Sequence, residues 1–310
     1  MVRVLCVGNV NLDIILYVDT LPERGSAIHA KRIRTYFGGS ASNTAIGLAR
    51  LGLESGIIGC VGNDVWGKLA IEDFKRENVD VGLLYQVEGE TGKVIIIVDS
   101  EGERTMIGHP GVNDMLRWQD SIIEYIERCE LVHVSGAALL RDPRMTTTLR
   151  ILREAKMRGK YTSLDTNTPL AERGLWGLVN LRGLIDILIV NEYEAMKIAG
   201  GLDEESLRKT LRWLGARIIV VKLGNKGAAA LTLKSRWYAP AFKVKVKDTT
   251  GAGDAFNAGL LYALLRGDKV NEALVFANAV AGYKCEGEGA RHLPRLRDLE
   301  KFLEEKSPYT

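Results

Sequence analysis

Two short segments concentrate residue types that do chemistry. The first is Asp248-Thr249-Thr250-Gly251-Ala252-Gly253-Asp254-Ala255-Phe256-Asn257-Ala258-Gly259. Gly251 and Gly253 permit a tight turn and clear side-chain bulk from the backbone. The residues beyond them predict a helix over 254–265, after a strand-like run at 242–246. Free N–H groups at a helix start, helped by the helix dipole, form an anion site. Asp254 falls in that first turn. A carboxylate beside an anion hole suits removal of a proton from a hydroxyl while a phosphoryl group is held. An Asp that merely caps the helix is the competing explanation; acids on both flanks of the glycines favour chemistry. The second segment is Phe37-Gly38-Gly39-Ser40-Ala41-Ser42-Asn43-Thr44-Ala45. Close backbone approach at the glycines, with Ser40 and Asn43, suits a hydroxylated ligand. An N-cap at Ser40 or Ser42 after a glycine turn would explain this segment taken alone.

Other chemistries fail on inspection. Gly62-Asn63-Asp64-Val65-Trp66-Gly67-Lys68-Leu69 has the spacing of a phosphate-binding P-loop, but Leu69 replaces the Ser or Thr that binds magnesium. Residues 251–256 lack the third glycine of a dinucleotide fingerprint and lie late in the chain. Cys6, Cys60, Cys129 and Cys285 form no Cys-x-x-Cys pair, so zinc and redox motifs are unsupported. The balance of 42 basic and 39 acidic residues, +3 overall, leaves no footprint for nucleic acid or an anionic membrane. The local cluster from Arg291 to Arg297 reads as a solvated helix edge.

The elements that must position these segments alternate. Strand-like runs at 4–7, 55–60, 131–134, 161–165, 185–190 and 218–222 are separated by helical patterns at 42–51, 66–77, 146–158, 192–199, 206–214, 254–265 and 270–282. Such alternation implies βαβ units and a mostly parallel sheet covered by helices, an α/β fold. Two regions, about 14–36 and 84–106, break the pattern and read as antiparallel hairpins inserted into one domain spanning 1–310. They would form a small lid sheet beside the main one. No run approaches the roughly 18 apolar residues of a membrane span. The N-terminus has no signal-peptide pattern, so the expected location is cytoplasmic.

The two segments, in this order and at this distance, resemble the signature regions of the ribokinase-like carbohydrate kinases, the PfkB family. The resemblance runs through Asn9-Val10-Asn11-Leu12-Asp13, Val61-Gly62-Asn63-Asp64, Asn191-Glu192-Tyr193-Glu194 and Lys222-Leu223-Gly224-Asn225-Lys226-Gly227. It covers essentially the whole chain. It implies a three-layer α/β/α fold with a β-sheet lid, and ATP-dependent phosphorylation of a hydroxyl on a sugar, sugar derivative or nucleoside. By this match Asp254 is the catalytic base, and Gly251, Ala252 and Gly253 form the anion hole. Asn191 and Glu194 organise Mg²⁺ through its waters. Lys222, Gly224, Gly227 and Asn278 serve the nucleotide. Asn11, Asp13, Gly38, Gly39, Ser40 and Asn43 serve the acceptor, with Arg104 reaching it from the lid. In some relatives the region of Asp248 and Thr250 also holds a monovalent cation such as K⁺.

Departures bear on the acceptor. Ribokinases proper carry Lys where Ser40 stands and a carboxylate near Gly136. Relatives acting on sugar acids or fructose often have Asp-x-Asn-x-Arg, where this chain has Asp165-Thr166-Asn167-Thr168-Pro169. The principal expectation is a sugar kinase. A nucleoside kinase is the alternative, with Tyr36, Phe37 or His109 as base-pocket candidates. A non-catalytic sugar-binding regulator on the same fold is the alternative of another class. The apolar run 94–98 is a poor free edge, so pairing between two lids in a homodimer is expected.

Overall fold

A computed structural model describes residues 2–306. In chain order, β1 (Val4–Val7) leads into a hairpin of β2 (Asn11–Tyr17) and β3 (Arg32–Gly38), then α1 (Ser40–Arg50). Next come β4 (Ser55–Gly62), α2 (Val65–Arg76), β5 (Asp80–Val87), and a second hairpin of β6 (Gly92–Val98) and β7 (Arg104–His109). The middle of the chain is α3 (Ser121–Arg128), β8 (Leu131–Ser135), α4 (Arg144–Met157), β9 (Tyr161–Asp165), α5 (Thr168–Ala171), β10 (Ile187–Asn191), α6 (Glu192–Ala199), α7 (Glu204–Leu214) and β11 (Ile218–Lys222). A β12 (Ala228–Leu231) and β13 (Arg236–Ala239) hairpin precedes α8 (Ala252–Arg266), α9 (Val270–Cys285) and α10 (Leu296–Glu305).

Nine strands form one sheet in the order β13-β12-β11-β10-β9-β8-β1-β4-β5. All its neighbours pair in parallel except β11–β12 and β12–β13. β1 is buried along its whole length, as a central parallel strand covered on both faces must be. Its alternating side chains feed two cores. Val4 and Cys6 face α1, α2, α8, α9 and α10. Leu5 and Val7 face α3 to α7. Close packing under α8 depends on Gly259, where a Cβ would come within 2.9 Å of Ala277 Cα on α9.

The lid is a separate four-stranded sheet, β3-β2-β6-β7. Its hairpins are antiparallel, and they join through parallel pairing of β2 with β6. The second hairpin starts later than the sequence suggests. Leu84 to Val87 pair with β4 at the edge of the main sheet, so the lid insertion runs from Gly92 to His109. Apolar runs in β5 and β6 look alike in sequence, and only pairing separates them. The 242–246 run, expected as a strand, forms no regular secondary structure and belongs to neither sheet. Among the described residues, no helix is long and apolar enough to cross a membrane.

Candidate active site

The start of α8 has the geometry of an anion site. Gly251 caps it at φ +77°, a left-handed conformation costly for other residues. A Cβ there would also lie 2.8 Å from the Ala290 Cβ. The Ala252 N–H is directed at the Thr249 carbonyl, 3.1 Å away. The N–H groups of Gly251, Gly253 and Asp254 have no acceptor among the described residues. Of the three expected anion-hole residues, then, Gly251 and Gly253 keep N–H groups without an acceptor among the described residues, while Ala252 closes the turn.

Asp254 stands in this first turn, half-buried, and meets the start of α1. Ser40 Oγ donates to its Oδ1 at 2.7 Å, and Asn43 Nδ2 donates to its Oδ2 at 2.7 Å. Burial pushes the Asp254 carboxyl up to about 6, against the two donors that hold it down. That places its proton affinity close to neutral pH, where a general base works well. The Asn43 amide is oriented from behind: Arg291 Nε donates to its Oδ1 at 2.9 Å, while Arg291 Nη1 reaches Asp73 at 3.0 Å. Arg291 is therefore not part of a solvated helix edge. Its position after Gly289-Ala290 gives no local periodicity that would reveal its burial.

Asp13 lies on the lid strand β2 and faces this centre. Gly38 makes room for it, since a Cβ at Gly38 would lie 1.9 Å from Asp13 Oδ2. Gly39, at φ +105°, brings the backbone against the Asn9 carbonyl, where a Cβ would stand only 2.1 Å away. The Asp13 carboxylate has no hydrogen-bond partner among the described residues. Burial pushes it up to about 7, with Arg291 opposing and Asp254 adding. An unpartnered, partly desolvated carboxylate is fitted to accept hydroxyl donors from a ligand. Asn11 is less free, because its Oδ1 accepts from Asn113 Nδ2 at 2.9 Å. Of the candidate base-pocket aromatics, only Tyr36 shares a lid face with Asp13; Phe37 and His109 fall on the opposite face by register.

Arg104 comes from β7 to the loop that precedes α8. Its guanidinium donates to Thr250 Oγ1 at 2.7 Å and Thr249 Oγ1 at 3.0 Å. A cleft of 270 Å³ remains between lid and loop, lined by Ile15, Tyr17, Ile96, Arg32 and Thr249 among others.

Among the residues expected to serve the nucleotide, Lys222 ends β11 with its ammonium 2.5 Å from Asp165 Oδ1. A Cβ on Gly253 would be 3.3 Å from that ammonium, so it borders the anion site. Gly224 and Gly227, both at positive φ, bracket a single tight turn after the strand. Asn278 is buried and donates to the Ala239 and Pro240 carbonyls, which fixes a wall but leaves no free amide hydrogen pointing outward for adenine. Asn191 and Glu194 form a reciprocal capping box at the start of α6. Glu194 also accepts from Thr166 Oγ1 at 2.7 Å, and burial raises its proton affinity. Both bonds to Glu194 fall on Oε2, so Oε1 has no partner among the described residues and is free to accept from the water of a hydrated ion. Asp165 and Thr166, whose motif in the sequence bears only on the acceptor, complete the cluster.

Asp248 and Thr250 are occupied with each other and with the main chain. Asp248 Oδ1 accepts from the Thr250 N–H and hydroxyl, and Oδ2 from the Gly289 N–H. The ammonium of Lys284, a residue sequence reasoning passed over, meets the Asp248 carbonyl.

Comparison with known proteins identifies the family. The chain matches the pfkB family carbohydrate kinase over residues 1–296. It is 34% identical to the ATP-dependent ribose-1-phosphate kinase of Halopiger xanaduensis, across 99% of each chain. Arabidopsis thaliana ribokinase, solved with ribose and ATP, superposes with a TM-score of 0.86 at 26% identity, covering 98% of this chain and 99% of that one. The nucleoside kinase of Methanocaldococcus jannaschii gives 0.83 at 26% identity, over 98% and 99%. The chain belongs to the pfkB family of carbohydrate kinases, and it is an ATP-dependent kinase acting on a sugar or sugar derivative.

Proposed function

We propose that Asp254 is the general base of this transfer. The observation that carries the reading is the placement of its carboxylate, near-neutral in proton affinity, in the same helical turn as the free Gly251 and Gly253 N–H groups. The acceptor hydroxyl gives its proton to Asp254 as its oxygen bonds to the γ-phosphorus. The bond from that phosphorus to the β-phosphate bridge breaks, and ADP departs. The start of α8 and Lys222 stabilise the charge on the transferring group. Gly224, Gly227 and the wall fixed by Asn278 border the nucleotide. Mg²⁺ bound with ATP neutralises phosphate charge, and Asn191 and Glu194 would hold its waters.

Asp13 takes two acceptor hydroxyls, with Gly38, Gly39, Ser40 and Asn43 shaping the pocket. The acceptor itself is a phosphorylated pentose, as the name of the Halopiger relative suggests. Arg32, Arg34 and Arg104 share the lid face with Asp13 by register, and three guanidiniums suit a second phosphate. A panel of ribose 1-phosphate, ribose, fructose 6-phosphate and adenosine, read by ADP release, tests this. The highest kcat/KM is expected for ribose 1-phosphate. Equal or better turnover of unphosphorylated ribose or of adenosine would overturn the assignment, and sugar binding without turnover of any acceptor would favour a regulator.

The enzyme works as a homodimer in the cytoplasm. The outer lid face exposes Ile33, Ile95 and Ile107, an apolar surface suited to a second lid. All four cysteines are unpaired, in keeping with a reducing compartment. Potassium has no place in this reading, because Lys284 brings a cation to the Asp248 carbonyl.

A further inference from the structure

Lys284 lies in the last turn of α9 and is fully buried. A buried ammonium is costly unless polar partners surround it. Its partners here are main-chain carbonyls: Nζ donates to Asp248 O at 2.5 Å and to Gly287 O at 3.3 Å. These two carbonyls belong to segments that the Asp248 carboxylate already clamps together, through the Thr250 and Gly289 N–H groups. The Cys285 carbonyl adds a third tie, accepting from the Lys247 and Asp248 N–H groups. A single positive charge thus sits among carbonyl dipoles, immediately before the loop that opens the anion site. Carbonyl oxygens arranged in this way replace the hydration shell of a monovalent cation in ion-selective sites. An ammonium has the same charge as K⁺ and a similar size, and here it is covalently attached.

The residues around Asp248 therefore do not fit an added K⁺. We infer that the Lys284 ammonium takes the place of the monovalent cation, so the kinase needs none. Lys284 is a positioning residue. It holds the Asp248 and Gly287 carbonyls, and through them the turn at Thr249–Gly251 that presents the free N–H groups. A second monovalent cation at this point would meet like charge from Lys284 and from Arg104, which bonds the adjacent threonine hydroxyls. The inference rests on the kinase reading for its activity readout, but not for its stability readout.

The test compares wild type, Lys284→Ala and Lys284→Met in tetramethylammonium chloride and in KCl of equal ionic strength. Wild type should show the same turnover and the same Tm in both salts. Lys284→Ala leaves a cation-sized void, so its turnover should fall by about 10–100-fold in tetramethylammonium, the worth of hydrogen bonds to a charged group. K⁺ or NH₄⁺ should restore its turnover and raise its Tm. Lys284→Met fills the void without charge, and neither salt should rescue it. The inference is overturned if K⁺ activates wild type or raises its Tm above the tetramethylammonium value, or if Lys284→Ala keeps wild-type turnover without K⁺. Absence of ADP release by wild type with every acceptor is a different outcome: it removes the kinase reading, while the Tm comparison still decides the cation question.

Discussion

Asn43 Nδ2 lies 2.7 Å from Asp254 Oδ2, joining residues 211 positions apart. This bond, with its neighbour from Ser40, docks the start of α1 against the start of α8. Both oxygens of the proposed base therefore receive a donor from α1, so the helix start proposed to shape the acceptor pocket also bonds the base. Burial raises the proton affinity of Asp254 and the two donors lower it. Activity that needs the carboxylate should fall as pH drops through about 6. Ser40→Ala removes one donor, so the acid limb of kcat/KM should move to higher pH, with turnover approaching wild type in alkali. An unmoved limb would mean that Ser40 does not tune Asp254.

Asp13 carries a stability cost that its proposed role would explain. Its ordinary value is 3.8, and in the fold it rises to about 7. The native state thus holds this proton more tightly than the unfolded chain. Stability from this group is present at low pH and is lost as pH rises from about 4 to 7. Asp13→Asn should therefore raise the Tm of the ligand-free protein at pH values well above 7, with the gain shrinking toward pH 5. Acceptor KM should rise by about 10–100-fold, through loss of a charged hydrogen-bond partner. A lower Tm throughout, with KM unchanged, would refute the assignment.

Glu194 needs a conservative test, because it closes a capping box as well as having the proposed role at the metal. Glutamine also serves at this position of a capping box. Glu194→Gln should keep near-native stability and raise the Mg²⁺ concentration for half-maximal rate by about tenfold or more, as indirect ligands often do. An unchanged metal response would leave Glu194 as a cap alone.

Arg104 holds the lid to Thr249 and Thr250. A lid that closes over the acceptor would exclude water, which otherwise competes for the phosphoryl group. Hydrogen exchange in β2, β3, β6 and β7 should slow when acceptor binds, and Arg104→Ala should weaken that slowing. Exchange already slow without ligand, and unchanged with it, would make the lid a fixed insertion.

The parallel body was legible because buried strands and amphipathic helices carry their own periodicity: β1, β9, α6 and β11 end where the pattern places them. The start of α8 was legible because its glycines and acids are contiguous. What escaped depends on pairing between distant segments. The sequence of β5 does not say that it joins the main sheet rather than the lid, and β12 and β13 are too short to stand out. Arg291 and Lys284 are ordinary surface types by composition. Their burial follows from partners at Asn43 and Asp248, hundreds or tens of residues away, which no local spacing encodes.

The central claim is that Asp254 takes the proton. Asp254→Asn keeps the size of the side chain and can still pair with Ser40, but it cannot accept a proton at neutral pH. Single-turnover phosphoryl transfer, measured with acceptor binding in parallel, isolates the step. The expected result is a rate loss of about 10²–10⁴-fold, the usual worth of a positioned base, with acceptor affinity little changed. A folded Asp254→Asn enzyme with near-native transfer rate would contradict the account.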